Sequence, residues 1–472
     1  MENKRTKYLM KNTIIFAIGN FTSKFITFFL VPFYTHLLTK KQYGIVDLIY
    51  TISIVIIPII TLNISESVMR FCLDKDDKEK QIISIANKMF IISLLIMLVG
   101  TPIFSIFSMF KGIELLISLY IISTCGSQMY LLVIKGQERL KLYTIGNVIN
   151  TFLIATLNIL FLAVFKMGIE GYLMAYIISN FITMTYALII SKSYKIGINN
   201  YDKKLFSSMV KYSIVLIPTS FMWWIMNSSD RIMISNMVST SANGIYAVSY
   251  KLPTLISTII SIFNQAWLFS AIKEIKSKDK DEYTNKIYKM LYTISIMSGL
   301  GLIMITKIFM KYYVSKEFYE AWKYMSFLTI GVIFQSLATF LSTSYNVYKD
   351  NKGFLYSGVA GAILNIILNF LLIPKFKIYG AAVATCSSYI MVFIYRYFDT
   401  KKYIKINAFT IKNIIGFILL IASTAFLYID YKYSQFIQIL IFLTSIVVYK
   451  EEILKIIDSI FKNKIIKAKG VK

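Results

Sequence analysis

Apolar runs of 17 or more residues follow one another through this chain, each about long enough to cross ~30 Å of hydrocarbon. That single feature excludes most folds. A backbone inside a bilayer finds no water to bond, so its N–H and C=O groups must pair with one another, in helices or in a closed barrel. Period-2 alternation is absent, so helices are expected. The composition agrees: 57% of the 472 residues are hydrophobic and only 16% charged, too few to coat a soluble protein of this length.

The chain therefore reads as an all-α, polytopic membrane protein with about fourteen spans. They run near 12–35, 43–67, 82–109, 113–134, 142–165, 169–191, 206–227, 243–270, 288–306, 324–348, 354–373, 378–395, 410–429 and 433–449. The first begins too deep and runs too long for a cleaved signal peptide. A formal charge of +27 invites a nucleic-acid reading, but its placement argues otherwise. With a cytoplasmic N-terminus, inside loops and tails hold roughly 35 Lys and Arg, against about 12 outside. The basic excess is a topology signal and an anchor to anionic membrane lipid, and no nucleic acid is expected. Both termini are placed in the cytoplasm, and the expected location is the cell's cytoplasmic (inner) membrane. The outside loop around 307–323 carries more lysine than this rule favours.

The chain repeats itself. Residues 43–50 read YGIVDLIY and residues 243–250 read NGIYAVSY. An offset of 200 pairs Lys11 with Lys211, Phe21 with Phe221, Gly44 with Gly244 and Tyr50 with Tyr250. Further on, 142–162 resembles 355–373, and 169–179 resembles 378–388 with Gly171 opposite Gly380. The order is that of six spans, the same six again, and two more. Six is even, so the copies share orientation and form two bundles related by a pseudo-two-fold axis along the membrane normal. The expected organisation is an N-terminal six-helix bundle over 1–192, a second over 193–399, and two additional helices with a basic tail over 400–472. Two such bundles leave a cavity between them, an architecture that serves transport. Pro32, Pro58, Pro218 and Pro253 fall in repeat-related spans, where kinks mark bending points and binding sites.

The stretch IPTSFMWWIMNSSDRIMISNMVSTSANGIYAVSYKL (217–252) resembles the seventh and eighth helices of bacterial polysaccharide flippases of the multidrug/oligosaccharidyl-lipid/polysaccharide exporter superfamily. Pro218, Asp230, Arg231, Gly244, Tyr246 and Lys251 carry that pattern. YGIVDLIYTI with NISESVMRF (63–71) is similar to the family's second helix, and ILNFLLIPKFKIYGAAVAT (367–385) to its eleventh-to-twelfth connection. The resemblance implies a flippase that moves undecaprenyl-diphosphate-linked oligosaccharide repeat units to the outer face for surface polysaccharide such as O-antigen or capsule. Alternating access through a cationic central cavity is expected, with H+ or Na+ as a coupling ion and glycan polymerase machinery as a neighbour.

Enzyme chemistry is not expected. No GxxxxGK[ST] loop occurs, so no nucleotide cycle is visible. His36 stands alone, which makes no metal site, and Cys72, Cys125 and Cys386 show no CxxC pairing and read as packing residues. No cofactor is expected.

Charges inside apolar spans remain to be explained. An ionised side chain at mid-membrane costs about 2.5–3.5 kcal/mol on insertion scales, so it faces a wet cavity or a partner. Lys24 lies roughly 18 Å deep at 1.5 Å per residue, with Asn20 one turn before it. Lys251 lies about 12 Å from one surface. Both lysines are candidate phosphate-binding cations for a diphosphate, with Asn20, Tyr50 and Tyr250 as candidate substrate contacts. The tyrosines equally suit the interfacial aromatic belt. Asp47, Glu66, Arg70, Asp230 and Arg231 are coupling or ion-pair candidates. Two rivals stay open. A multidrug and toxin extrusion-type exporter would share the fold and line its cavity with carboxylates. A membrane-embedded glycan polymerase or ligase would carry a large outside loop, and outside loops here reach only about 15 residues.

Overall fold

Every regular element among the described residues is a helix, and no strand occurs there. The computed structural model describes residues 24–73, 78–274, 277–348, 350–429, 433–456 and 458. Helix α1 covers 24–37. It is followed by α2 (Lys40–Ile60), α3 (Ile64–Cys72), α4 (Glu79–Gly100), α5 (Glu114–Gly136), α6 (Leu140–Asn158), α7 (Gly168–Ser191) and α8 (Lys203–Met237). Then come α9 (Thr240–Ser249), α10 (Lys251–Glu274), α11 (Lys280–Tyr313), α12 (Trp322–Tyr348), α13 (Asn351–Phe376), α14 (Ile378–Thr400), α15 (Ile411–Tyr428) and α16 (Ser434–Val448).

Among the described residues, 11 helices are long and apolar enough to cross a membrane, or 12 when the bent pair α9 and α10 counts as one span. The chain is thus a multi-pass membrane protein. The expectation of about fourteen rests further on two elements. Helix α16, at 15 residues, is about 22 Å long and falls short of the hydrocarbon thickness. The expected first span, 12–35, lies partly outside the described residues.

The expected second span, 43–67, is broken. Helix α2 stops at Ile60, and the chain turns through Leu62 (φ 51°) and Asn63 (φ 53°) before α3 starts. Pro58 frees the carbonyl of Ile54 from its helical donor, while its own carbonyl accepts from the Asn63 N–H at 2.7 Å. The expected eighth span is broken as well. Helix α9 ends at Ser249, and α10 restarts at Lys251 with a 43° bend. Pro253 sits in the first turn of α10 and leaves the Ser249 carbonyl without its i+4 donor.

The helices fall into two compact units. The first holds residues up to Trp224 together with Thr240–Gly244; the second holds Ile225–Ser239 and everything from Ile245 on. In the first unit α5 is the central helix and packs most extensively on α7; in the second α12 does so on α14. These are the fourth and sixth expected spans of each sequence repeat. In both places small residues permit close approach: Gly126 on α5 faces Met184 and Phe90, and Gly331 on α12 faces the Cys386 backbone.

Gly44 and Gly244, the repeat-related pair, meet inside the first unit. Helix α2 begins with a capping box: the Gln42 N–H donates to Thr39 Oγ1 at 3.2 Å and the Thr39 N–H to Gln42 Oε1 at 3.0 Å. That puts Gly44 in the early turns of α2, where a Cβ would lie 2.0 Å from the Thr240 carbonyl oxygen. Reciprocally, a Cβ on Gly244 would lie 2.2 Å from the Lys40 carbonyl oxygen. Asn243 Nδ2 completes the crossing by donating to the Gly44 carbonyl at 3.0 Å. The repeated glycine is therefore a steric requirement of a backbone-on-backbone crossing.

Gly44→Ala and Gly244→Ala should each destabilise the purified protein by about 1–3 kcal/mol, the usual cost of overpacking. Gly197→Ala, where an added Cβ meets nothing within 4 Å, should leave thermal stability unchanged. Because both glycines serve one crossing, the double variant should cost less than the sum of the singles. Full additivity in thermal unfolding would contradict the reciprocal contact.

Candidate functional site

The break between α2 and α3 opens a cavity in the first unit. Trp224 on α8 donates its Nε1–H to the Thr51 carbonyl at 2.9 Å, tying α8 to α2. Ser67 on α3 donates to the Met209 carbonyl at 2.6 Å and pairs with the Ser213 hydroxyl, tying α3 to α8 lower down. Between these ties lies a space of about 360 Å³, within the ~300–1,000 Å³ of ordinary small-molecule sites. Tyr50, Pro58, Asn63 and Glu66 line it from α2, the turn and α3; Tyr120, Thr124 and Gln128 from α5; Ser220, Phe221 and Trp224 from α8. The Phe221 and Trp224 rings stack at 5.6 Å with an interplanar angle of 20°.

The chemistry of this wall is specific. Aromatic faces accept the C–H face of a sugar ring, and Asn63, Gln128, Thr124 and Tyr50 offer both donors and acceptors to hydroxyls. Glu66 is the charged residue on the wall, in the first turn of α3, where the helix dipole favours an anion. Asp47 lies one turn from Tyr50 on α2 and is 7% exposed. Its Oδ2 is 3.4 Å from Asn243 Nδ2. Tyr50 and Glu66 thus share one cavity, with Asp47 behind it.

A second polar cluster lies in the other unit, around Asp230 on α8. Its Oδ2 accepts from the Tyr246 hydroxyl of α9 and from Thr385 Oγ1 of α14 at 3.0 Å. Its Oδ1 accepts from the Arg231 N–H at 2.9 Å. Asn365 Nδ2 on α13 donates to Thr385 Oγ1 at 3.5 Å, and Asn369 Nδ2 donates to Asn365 Oδ1 at 3.0 Å. Asp230 and both asparagines are wholly buried, and Asn369 Oδ1 has no hydrogen-bond partner among the described residues. Two hydroxyl hydrogens and a backbone N–H thus satisfy a buried carboxylate, with the two amides one bond further out, and such a carboxyl is chemically able to take up a proton. Tyr250 belongs to the same unit. It is 6% exposed, its ring lies 5.6 Å from that of Tyr246, and the Arg231 guanidinium stands 5.8 Å from its centre. Tyr50, its repeat partner, is 52% exposed on the cavity wall.

The lysines lie elsewhere. Lys24 is exposed at the start of the described part of α1, and Arg70 is exposed on α3. Lys251 is half-buried and opens α10 at the bend. Asn20 lies outside the described residues. Cys125 and Cys386 are buried and Cys72 is half-buried, all with free thiols. Among the described residues no three His, Cys, Asp or Glu side chains gather as a metal site.

Sequence reasoning missed Asn63, Gln128, Tyr120 and Trp224 on the cavity wall, and Thr385, Asn365 and Asn369 around Asp230. The adjacent tryptophans of span 7 were the available signal, since Trp places its N–H only where a partner waits. It also missed Arg396 on α14, wholly buried and bonded to Ser357 Oγ at 3.0 Å and the Ala338 carbonyl at 2.9 Å.

The sequence profile of the polysaccharide biosynthesis protein family matches residues 9–269. An uncharacterized membrane protein of Methanocaldococcus jannaschii is 29% identical over 204 residues, 42% of this chain and 48% of that protein. The match thus spans about half the length of that curated relative. In fold, the chain is similar to the lipid II flippase MurJ in its inward closed conformation, with a TM-score of 0.69 and 18% identity over 96% of this chain and 100% of that one. It is similar also to a mutant of the Vibrio cholerae MATE transporter VcmN, with a TM-score of 0.60 and 13% identity over 84% of this chain and 96% of that one. A multidrug resistance MATE family transporter of the MOP superfamily, inward-facing, gives a TM-score of 0.59 and 10% identity over 81% and 93%. Matched over more than half its length, on a fold shared with MurJ and the MATE transporters, the chain belongs to the polysaccharide biosynthesis protein family.

Proposed function

We propose that this chain is a flippase. It carries undecaprenyl-diphosphate-linked oligosaccharide repeat units from the cytoplasmic to the outer face of the cell's cytoplasmic (inner) membrane, for a surface polysaccharide such as O-antigen or capsule. The observation that carries the reading is the cavity wall of the first unit: aromatic faces, amides and hydroxyls placed inside membrane-spanning helices, which suit a glycan. Family membership supports it, as does the fold shared with a lipid II flippase. The lipid tail stays in hydrocarbon while the headgroup crosses by alternating access. Lys24 and Lys251 offset part of the diphosphate's desolvation as compact point charges. Buried Asp230, with Thr385, Asn365 and Asn369, takes up the coupling H+ or Na+. Tyr250 and Arg231 hold that cluster's flank, and the two six-helix repeats supply the two halves of the cycle. Both termini are cytoplasmic, and glycan polymerase machinery receives the product.

A second reading has one observation in its favour. Glu66, rather than a lysine, is the charge on the cavity wall, and a carboxylate suits the cationic substrate of a drug exporter. The two readings separate in one strain set. Deletion should abolish the surface glycan and leave its lipid-linked repeat unit trapped on the cytoplasmic face, with tolerance of cationic dyes unchanged. Trp224→Ala, which removes a sugar-facing ring, should restore glycan only weakly at normal membrane levels. Lys24→Ala and Lys251→Ala should fail to restore it, Lys→Arg should restore it in part, and Lys251→Glu should be worse than Ala. Normal glycan with new dye sensitivity on deletion would select the exporter.

The topology is tested by fusion. A reporter active only outside the cytoplasm should report after residues 38, 111, 167 and 235, and stay silent after 138, 199, 277 and 76, the last outside the described residues. The inverse pattern would overturn the orientation drawn from the lysine distribution.

A further inference from the structure

The lysines around 307–323 contribute nothing to transport as proposed, yet they are not scattered. Lys307 and Lys311 end α11, Lys316 and Lys323 flank the start of α12, and Lys375 and Lys377 close α13, against Glu317 and Glu320. An aromatic collar in the second unit joins these three helix ends. Lys307 Nζ stands 4.4 Å from the centre of the Trp322 ring. That ring lies 5.8 Å from Tyr428 on α15, whose hydroxyl donates to the Lys323 carbonyl. Tyr428 lies 6.0 Å from Phe327 and 6.1 Å from Tyr379, and Tyr379 lies 4.8 Å from Tyr324.

Against this collar runs a groove of about 380 Å³, lined by Phe327, Leu372, Phe376, Tyr379, Gly380 and Val383. The turn between α13 and α14 creates it. Lys377 adopts φ 52°, and a Cβ on Gly380 would fall 2.4 Å from the Leu372 carbonyl oxygen, so the two helix ends touch backbone to backbone. Phe376, left 58% exposed, forms the lip, and Lys375 and Lys377 bracket it. An apolar slot beside exposed ammonium groups, at helix ends where membrane meets water, is complementary to an amphiphile with an anionic head. The aromatic collar is of the kind that settles at headgroup depth.

We propose that this end of the second unit is a binding site for an anionic glycerophospholipid, its acyl chain in the Phe327–Phe376–Tyr379 groove and its phosphate on Lys323, Lys375 and Lys377. The site accounts for Lys323, Lys375 and Lys377, three of the lysines that orientation rules disfavour on this face. A zwitterionic lipid would bring its own ammonium against them and gain less.

The full-length protein, purified in detergent, is offered phosphatidylglycerol and phosphatidylcholine of matched chains, and bound lipid is counted by native mass spectrometry. Wild type should retain phosphatidylglycerol at least about 10-fold better. The triple variant Lys323→Gln, Lys375→Gln, Lys377→Gln should bring that ratio near one, whereas Lys401→Gln with Lys405→Gln should keep it. Val383→Trp, which fills the slot, should lower retention of both lipids. If the triple variant aggregates, Lys375→Gln and Lys377→Gln alone, both at exposed side chains, should each show a smaller fall. An equal ratio in wild type, or an unchanged ratio in the lysine variants, would overturn the site. Unchanged retention in Val383→Trp would remove the groove from it. Displacement of bound phosphatidylglycerol by equimolar polyprenyl diphosphate would overturn the phospholipid as occupant.

Discussion

A backbone amide in hydrocarbon has no partner but another backbone group, and an unpaired one costs several kcal/mol. This makes every regular element among the described residues a helix, and makes an interruption within a span an event with a cause. Two interruptions fall in α2–α3 and α9–α10, elements that the sequence repeat relates. At the first, Leu62 and Asn63 take left-handed conformations, and the polar groups released at Asn63, Ser65 and Glu66 line a cavity rather than meeting lipid. At the second, Pro253 breaks the ladder, and Lys251 stands at the bend. Irregular backbone at membrane depth is tolerated where it faces a cavity or protein.

The same constraint governs the buried polar side chains. Asp230 is held by hydroxyls from α9 and α14 and by a backbone N–H, with amides of α13 one bond further out. Arg396 is held by a carbonyl of α12 and a hydroxyl of α13. In each case the group's bonds cross between helices, so a polar residue that is costly to bury fixes the packing of three or four elements. Arg396 fixes α12, α13 and α14 against one another, and the Asp230 cluster does the same for α8, α9, α13 and α14.

Helices were legible in the sequence because runs of 17 or more apolar residues admit few alternatives. The glycine at 44 and 244 was legible as a repeat, but its reason was not, since the crossing that excludes a Cβ depends on Lys40 and Thr240 carbonyls from the two copies. Breaks were half legible. Prolines marked the neighbourhood, but nothing in the pattern foretold a left-handed Leu62, a strained choice for a γ-branched residue that only its surroundings can enforce. Site charges such as Asp230 and Glu66 stood out against an apolar background. Their partners did not, because Thr385 lies 155 residues from Asp230 and an isolated Thr or Asn in a span has no signature. Tyr50 and Tyr250 look equivalent in sequence, yet one is exposed and the other buried, a difference set by neighbours that the repeat does not copy.

Transport of a lipid-linked glycan is the claim on which the functional account rests, and reconstitution tests it most directly. Purified protein in liposomes, with a polyprenyl-diphosphate oligosaccharide loaded in one leaflet, is probed by a membrane-impermeant lectin or glycosidase that reaches only the opposite face. The account predicts that the protected pool becomes accessible far faster than in protein-free liposomes, and that Lys251→Glu returns the rate to background. No acceleration for the glycan, with a cationic dye moved across the same membranes, would contradict it.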